Sequence, residues 1–376
     1  MSDRTEIFGT CPPEFQAVRA QFQRHFDEGL ELGARFSVCV EGEVVLDLWG
    51  GHADRAGARP FDQHTLAPLF STSKAVTSLV VASAVDRGLL DYDQPLAEVW
   101  PEFAQAGKGA ITFAQALSHQ AGLSGLSEPA DPGVWFDWPE ATARIAAQAP
   151  IWPPGSASGY GPVTWGFVAG EAFRRVDPRG VGVAFAEDFG RPLNLDLRFR
   201  AADVEEPDLA ELRKPAGPVD FGEINAATRA AFLQPWSPVN ARDPRHRDSV
   251  IPSVSAVATA EALARLFNLM ANDGRLDGTT WLSPDVIAAA SRERIVGRDL
   301  VLPHVVSWGA GFTRGGPERM FGPNPDAFGH WGWGGSCAFA DPERRLSASY
   351  VMNRQGALLV KDPRAMALIE TLYASL

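Results

Sequence analysis

The sequence feature that most constrains the fold is the run Ala75-Val76-Thr77-Ser78-Leu79-Val80-Val81-Ala82-Ser83-Ala84-Val85, uncharged throughout and interrupted only by small hydroxyls. It stops at Asp86-Arg87-Gly88, where Gly88 suits a helix C-cap. A helix apolar on nearly every side has to be buried on nearly every side. The remaining chain must therefore wrap around it. Phe70-Ser71-Thr72-Ser73-Lys74 opens this run, which places Ser71 at or near a helix N-terminus, where free N–H groups and the dipole favour developing negative charge. Lys74 follows three residues later on the same face. A lysine held against an apolar helix tends to lose its proton, because desolvation disfavours the ammonium. A neutral amine beside a hydroxyl is how a Ser–Lys nucleophile is activated. The plainer reading is an N-cap serine and a solvated lysine. With 4 lysines and 22 serines in 376 residues, chance supplies roughly 0.2 Ser-x-x-Lys matches. The motif needs partners elsewhere in the chain.

A chain of this length can bury a large core and is expected to form two lobes. Its formal net charge of −12 argues against nucleic acid or an anionic membrane as partner. Cys11, Cys39 and Cys337 lie far apart, with no metal-ligand spacing and no disulfide framework, so no metal or cofactor is expected. The N-terminal residues lack an apolar signal-type segment and no apolar run reaches 18 residues, from which a cytoplasmic location is expected. Most of the 11 tryptophans are expected to pack the core or the lobes. Trp135, Trp138 and Trp236 are the candidates for walls of an apolar substrate pocket.

Residues 14–32 show helical spacing, with Phe15, Val18, Phe22, Phe26 and Leu30 on one face. Residues 36–40 and 44–49 read as a hairpin closed by Glu41-Gly42-Glu43. Between about 89 and 290 no convincing paired strands are expected. Helices are expected there at 112–118 with Thr112 as cap, 139–149, 164–176, 182–189, 259–272 and 283–291. The proline-rich stretch 203–245 reads as a functional wall. Strands return at 307–312, and a second hairpin covers 337–341 and 346–352. A final helix covers 363–374. The fold class is therefore α+β: an antiparallel sheet lobe from 1–68 and 295–376, and a mainly helical lobe from 69–294, with the site between them.

Two further stretches can complete an acyl-transfer site. Tyr160 sits in a tight loop just before a helix, and a phenol near a lysine ammonium has its pKa lowered and can shuttle a proton. Packing between helices is its simpler role. His330-Trp331-Gly332-Trp333-Gly334-Gly335 is a glycine-rich strand end that lets substrate approach the backbone. Its N–H groups can join those at the Ser71 helix start as an oxyanion hole. A strand bulge with a structural histidine is the alternative.

The order Ser71-Thr72-Ser73-Lys74, Tyr160, His330-Trp331-Gly332 resembles the serine β-lactamase and penicillin-binding-protein superfamily. It is most similar to the class C branch and the family VIII carboxylesterases. Leu117-Ser118-His119-Gln120-Ala121-Gly122-Leu123 and Phe328-Gly329-His330-Trp331-Gly332 also read like that branch. The resemblance spans most of the chain, from the first hairpin to the second. The third motif can also be set at Trp333-Gly334-Gly335; the placement at His330 follows from Phe328-Gly329. The resemblance implies Ser71 as nucleophile, Lys74 and Tyr160 as a coupled base pair, and the backbone N–H groups of Ser71 and Trp333 as oxyanion hole. It also implies His330, Trp331 and Gly332 as substrate-binding residues. Class C enzymes carry Tyr-Ser/Ala-Asn and Lys-Thr-Gly, whereas this chain has Pro162 for the asparagine and His330 for the lysine. Losing an amide and a fixed cation turns the expectation from lactam to small-molecule ester. A lactamase or peptidase is the alternative enzyme. A non-catalytic binding protein on the same fold is the alternative of another class.

Overall fold

The structure, a computed structural model, describes residues 4–215 and 217–376. Nine strands form one antiparallel sheet: β1 (Ile7–Thr10), β2 (Gly33–Val40), β3 (Glu43–Gly51), β4 (Ile295–Arg298), β5 (Val305–Trp308), β6 (Thr313–Arg314), β7 (Phe328–Trp331), β8 (Cys337–Asp341) and β9 (Leu346–Met352). Their spatial order is β1-β3-β2-β9-β8-β7-β6-β5-β4. The two ends of the chain meet where β9 pairs with β2, with Tyr350 opposite Phe36. The expected α+β class is what the chain adopts.

The period of two along the strands assigns the two faces. Phe36, Val38, Phe339 and Tyr350 lie on one face, packed with Val18 and Phe22 of α1 (Gln16–Asp27) and with Leu368 and Leu372 of the C-terminal helix Pro363–Ala374. Small residues hold the other face. Ser347 and Ser349 each donate at 2.6 Å to carbonyls of Ala264 and Ala260, in the helix Ala260–Ala271. That helix was expected among the helical lobe, yet it lies against the sheet.

Behind the sheet runs α2 (Thr72–Asp86), with thirteen of its residues buried. Its hydroxyls survive burial because each finds a carbonyl or an N–H. Thr77 donates to Pro252 O at 2.7 Å, Ser78 to Gly311 O at 3.0 Å, and Ser73 Oγ accepts from Ala256 N–H at 3.1 Å. Its C-terminus closes as expected: Gly88, at φ +68°, donates to Val85 O at 2.9 Å. Among the described residues the other α-helices of five residues or more are α3 (Phe113–Leu117), α4 (Trp138–Ala147), α5 (Thr164–Val176), α6 (Gly180–Phe185), α7 (Ala260–Ala271), α8 (Pro284–Ser291) and α9 (Pro363–Ala374). Thr112 caps α3 with a full capping box.

Three expectations are corrected. Residues 197–198 and 257–258 pair, with 67–68 as the third strand of a small sheet, and 275–276 pairs with 279–280, within the stretch from about 89 to 290 expected to lack strands. They are two residues long, too short to show a period. The strand expected at 307–312 ends at Trp308, because Gly311 takes φ +88° and turns the chain. The first helix ends at Asp27 and leaves Leu30 41% exposed.

Candidate active site

Ser71 occupies the N-cap position of α2. The residue before it, Phe70, has φ +48°, a left-handed backbone that a bulky side chain rarely takes. Its ring packs edge-on against Trp333, 5.6 Å between centroids. The sharp turn fixes the entry into the helix. Thr72 and Ser336 lock it from the other side, hydroxyl to hydroxyl at 3.1 Å, while Ser336 Oγ donates to Leu69 O at 2.7 Å.

The three expected reactive side chains meet. Lys74 Nζ lies 3.0 Å from Ser71 Oγ and 2.9 Å from Tyr160 Oη, and Tyr160 Oη lies 2.5 Å from Ser71 Oγ. Nζ also reaches the carbonyls of Pro162 at 2.8 Å and Ser253 at 3.4 Å. Lys74 is fully buried, and burial drives its pKa well below the usual lysine value. The partner set fits a neutral amine. Its two N–H bonds serve the two carbonyls, which can only accept, and its lone pair is left for a hydroxyl proton. Pro162 thus takes part through its backbone, where the class C motif has a side-chain amide.

The expected lowering of the Tyr160 pKa does not occur. Burial pushes it up instead, because a neutral Lys74 supplies no cation to offset desolvation. The phenol stays protonated and can donate to Ser71 Oγ. Three residues that sequence reasoning did not single out hold Tyr160. Asp299 accepts its N–H at 3.0 Å, together with the Ser158 hydroxyl at 2.7 Å and the Val301 N–H at 2.9 Å. Trp308 stacks on its ring at 6.1 Å and 4°. His119 lies 5.0 Å from the same ring, and its Nδ1 accepts from Gly161 N–H at 3.1 Å. His119 was quoted only as part of a resembling loop; its φ of +61° marks a position under constraint.

His330 sits on β7 on the same sheet face as its partner Ala338, 6.1 Å from the Tyr160 ring. Burial pushes its pKa down to about 3, so it is neutral. Its Nδ1 lies 2.6 Å from Trp331 O. A carbonyl only accepts, so Nδ1 carries the proton. Gly332 lies against the start of α2: a Cβ there would come within 2.2 Å of Leu69 O. Among the described residues, the backbone N–H groups of Ser71 and Trp333 donate to no protein acceptor. Both are available to a ligand oxygen.

Four expected pocket residues are not brought to this centre. Trp331 points to the opposite face of β7 from His330, stacked on Phe321 at 5.8 Å, and is core. The period of two along a strand would have told the two apart. Trp135 and Trp138 pack on Phe167 of α5 at 5.5 and 4.8 Å. Their indole N–H groups go to Trp236 O and to Glu171 Oε2. Trp236 donates to Leu126 O at 3.1 Å. All three pack the helical part of the chain, the commoner use of a large aromatic.

Known proteins share this fold. A family model described as Beta-lactamase matches residues 22–371. The esterase/beta-lactamase LipL of Mycobacterium tuberculosis is 32% identical, over 96% of this chain and 86% of LipL. Among solved structures, a penicillin-binding protein homolog from Caulobacter crescentus superposes with a TM-score of 0.96 at 55% identity, over 99% of this chain and 100% of that one. A family VIII carboxylesterase superposes with a TM-score of 0.91 at 39% identity, again over 99% and 100%. On these matches the chain belongs to the beta-lactamase family and is a serine hydrolase.

Proposed function

We propose that the chain is a carboxylesterase that hydrolyses short-chain carboxylic esters through an acyl-enzyme on Ser71. We place the site between a helical lobe, 69–294, and a lobe made by both termini, 1–68 and 295–376. The observation that carries the reading is the buried amine of Lys74 set 3.0 Å from Ser71 Oγ and 2.9 Å from Tyr160 Oη. Ser71 Oγ attacks the ester carbonyl carbon, and its proton passes to Lys74 Nζ. The carbonyl oxygen becomes an oxyanion facing the N–H groups of Ser71 and Trp333, each such donor worth about 3–4 kcal/mol in an acyl-transfer site. Collapse breaks the bond to the alcohol. The proton leaves Lys74 through Tyr160 Oη to the departing oxygen. Water then gives a proton to the same pair and attacks the acyl carbon. Ser71 recovers its proton as the carboxylic acid leaves.

The relatives named as esterases support the ester reading, as do Pro162 and the neutral His330. A carboxylate-bearing lactam would find neither the amide nor the cation it is selected by in class C enzymes. The name of the Mycobacterium relative favours lactam hydrolysis as a second reading. The ratio of kcat/KM for a p-nitrophenyl C4 ester to that for nitrocefin ranks the two, and a ratio below one overturns the first. Ser71→Ala should abolish turnover of p-nitrophenyl esters and labelling by a fluorophosphonate. Unchanged rates would remove Ser71 from the mechanism. A serine inert to the probe in the parent protein would favour a non-catalytic role.

A further inference from the structure

The glycine loop that carries the Trp333 N–H is tied at its back to a buried cation on the C-terminal helix. Arg364 is 7% exposed and uses all its N–H groups. Nε and Nη2 go to Asp362 at 2.9 Å each; Nη1 goes to Glu31 at 3.0 Å, Leu30 O at 3.2 Å and Arg354 O at 2.8 Å. The remaining Nη2 bond, 2.7 Å, goes to Gly334 O. Tyr350 donates to the other Glu31 oxygen, and His25 Nδ1 lies 3.8 Å from it. A fork with every donor engaged has one orientation.

The path from Arg364 to the site runs through two peptide units. Gly334 O and Gly335 N belong to one peptide, and its N–H donates to Gly332 O at 3.1 Å. Gly332 O and Trp333 N belong to the next peptide, and its N–H is the one left without a protein acceptor. Cation, peptide, peptide and free N–H therefore form one head-to-tail hydrogen-bonded chain, in which each link polarises the next in the same sense. Only glycine fits where the network touches the loop. Gly335 has φ +128°, and a Cβ there would come within 2.9 Å of Arg364 Nη2.

We propose that Arg364 is a positioning residue of the oxyanion hole: it orients and polarises the Trp333 N–H through the Gly334–Gly335 and Gly332–Trp333 peptides. The proposal rests on the reading of that N–H as an oxyanion donor and of Ser71 as nucleophile. Its test is a trifluoromethyl ketone, whose carbonyl adds Ser71 Oγ to give a hemiketal with an ionisable oxygen in the hole. A 19F NMR titration reads the acidity of that hemiketal. In Arg364→Met the acidity falls about tenfold and kcat for a short ester falls about tenfold. This is short of the ~10²–10³ of losing an oxyanion donor outright, and KM stays within about twofold. Arg364→Lys, which keeps a cation beside Asp362, falls between, and it carries the comparison if Arg364→Met does not fold. A folded variant with unchanged hemiketal acidity overturns the role of Arg364 alone. Failure of the parent protein to form a hemiketal, or its formation in Ser71→Ala, overturns the reading beneath it.

Discussion

Gly332→Ala tests the oxyanion hole by steric means and leaves every side chain of the reactive trio in place. Gly332 does not have a positive φ, so the substitution adds a methyl group without forcing the backbone into a disfavoured region. That methyl carbon would lie 2.2 Å from Leu69 O, 2.2 Å from Ser336 Oγ and 3.0 Å from Thr72 Oγ1, where ordinary contact begins near 3.4 Å. The space is already filled by the hydrogen bond from Ser336 Oγ to Leu69 O. Leu69 O is backbone and is fixed by the entry to α2, so the end of β7 must give way by more than an ångström, and Trp333 follows Gly332. A misplacement of about 1 Å at a reacting centre costs ~10²-fold; overpacking in a rigid site costs about 1–3 kcal/mol of stability. The expected result is a fall in kcat of about 10²-fold for a p-nitrophenyl ester, with slower fluorophosphonate labelling of Ser71 and a lower Tm. A folded Gly332→Ala protein with kcat within twofold of the parent would show that the end of β7 carries no reacting oxygen.

Lys74→Met keeps the volume and removes the base, so kcat should fall by about 10²–10⁴-fold. The substitution removes the cost of burying lysine uncharged but leaves the carbonyls of Pro162 and Ser253 without their donor, so the test lies in the pH dependence of stability. Lys74 has a folded pKa below its unfolded value. Its contribution to stability is therefore adverse at low pH and recovers as pH rises toward the ordinary lysine range. Thermal melts against pH should show this slope in the parent protein and lose it in Lys74→Met. His119 and His330 are both held neutral by burial, so the kcat/KM profile should carry no limb near pH 6–7 from either, and a limb that disappears in His330→Gln would refute this. Trp331→Phe should lower Tm by removing buried area from the face under α1 and α9, with KM for esters unchanged; a raised KM would return Trp331 to the site.

The serine and lysine were legible because one helix carries both, three residues apart, and the apolar run declares its own burial. Tyr160 was legible only through its order in the chain, since nothing local ties it to a helix 86 residues earlier. Its protonation state was misread for a physical reason: a phenol's pKa follows the charge of its neighbour, and that charge depends on burial that composition does not reveal. Pro162 looked like a missing side chain, yet its carbonyl is what the amine needs. Asp299, Trp308 and Arg364 act on the site from across the fold, and pairwise contacts of that range leave no periodic trace. Trp331 was separable from His330 by strand alternation alone.

The pairing of β2 with β9 has a consequence for how the protein is made. Leu346 pairs with Val40, and Ser336 latches Thr72 over a separation of 264 residues. A ribosome must therefore release the chain through β9 before the nucleophile helix meets its last partners. Until then the apolar run from Ala75 to Val85 has helices α5, α6 and α8 against it but lacks its cover from the sheet, and such long-range closure is slow and prone to aggregation. The nascent chain carries its serine and lysine early but has no oxyanion hole until β7 and β8 arrive, so hydrolysis is withheld until those strands have been made.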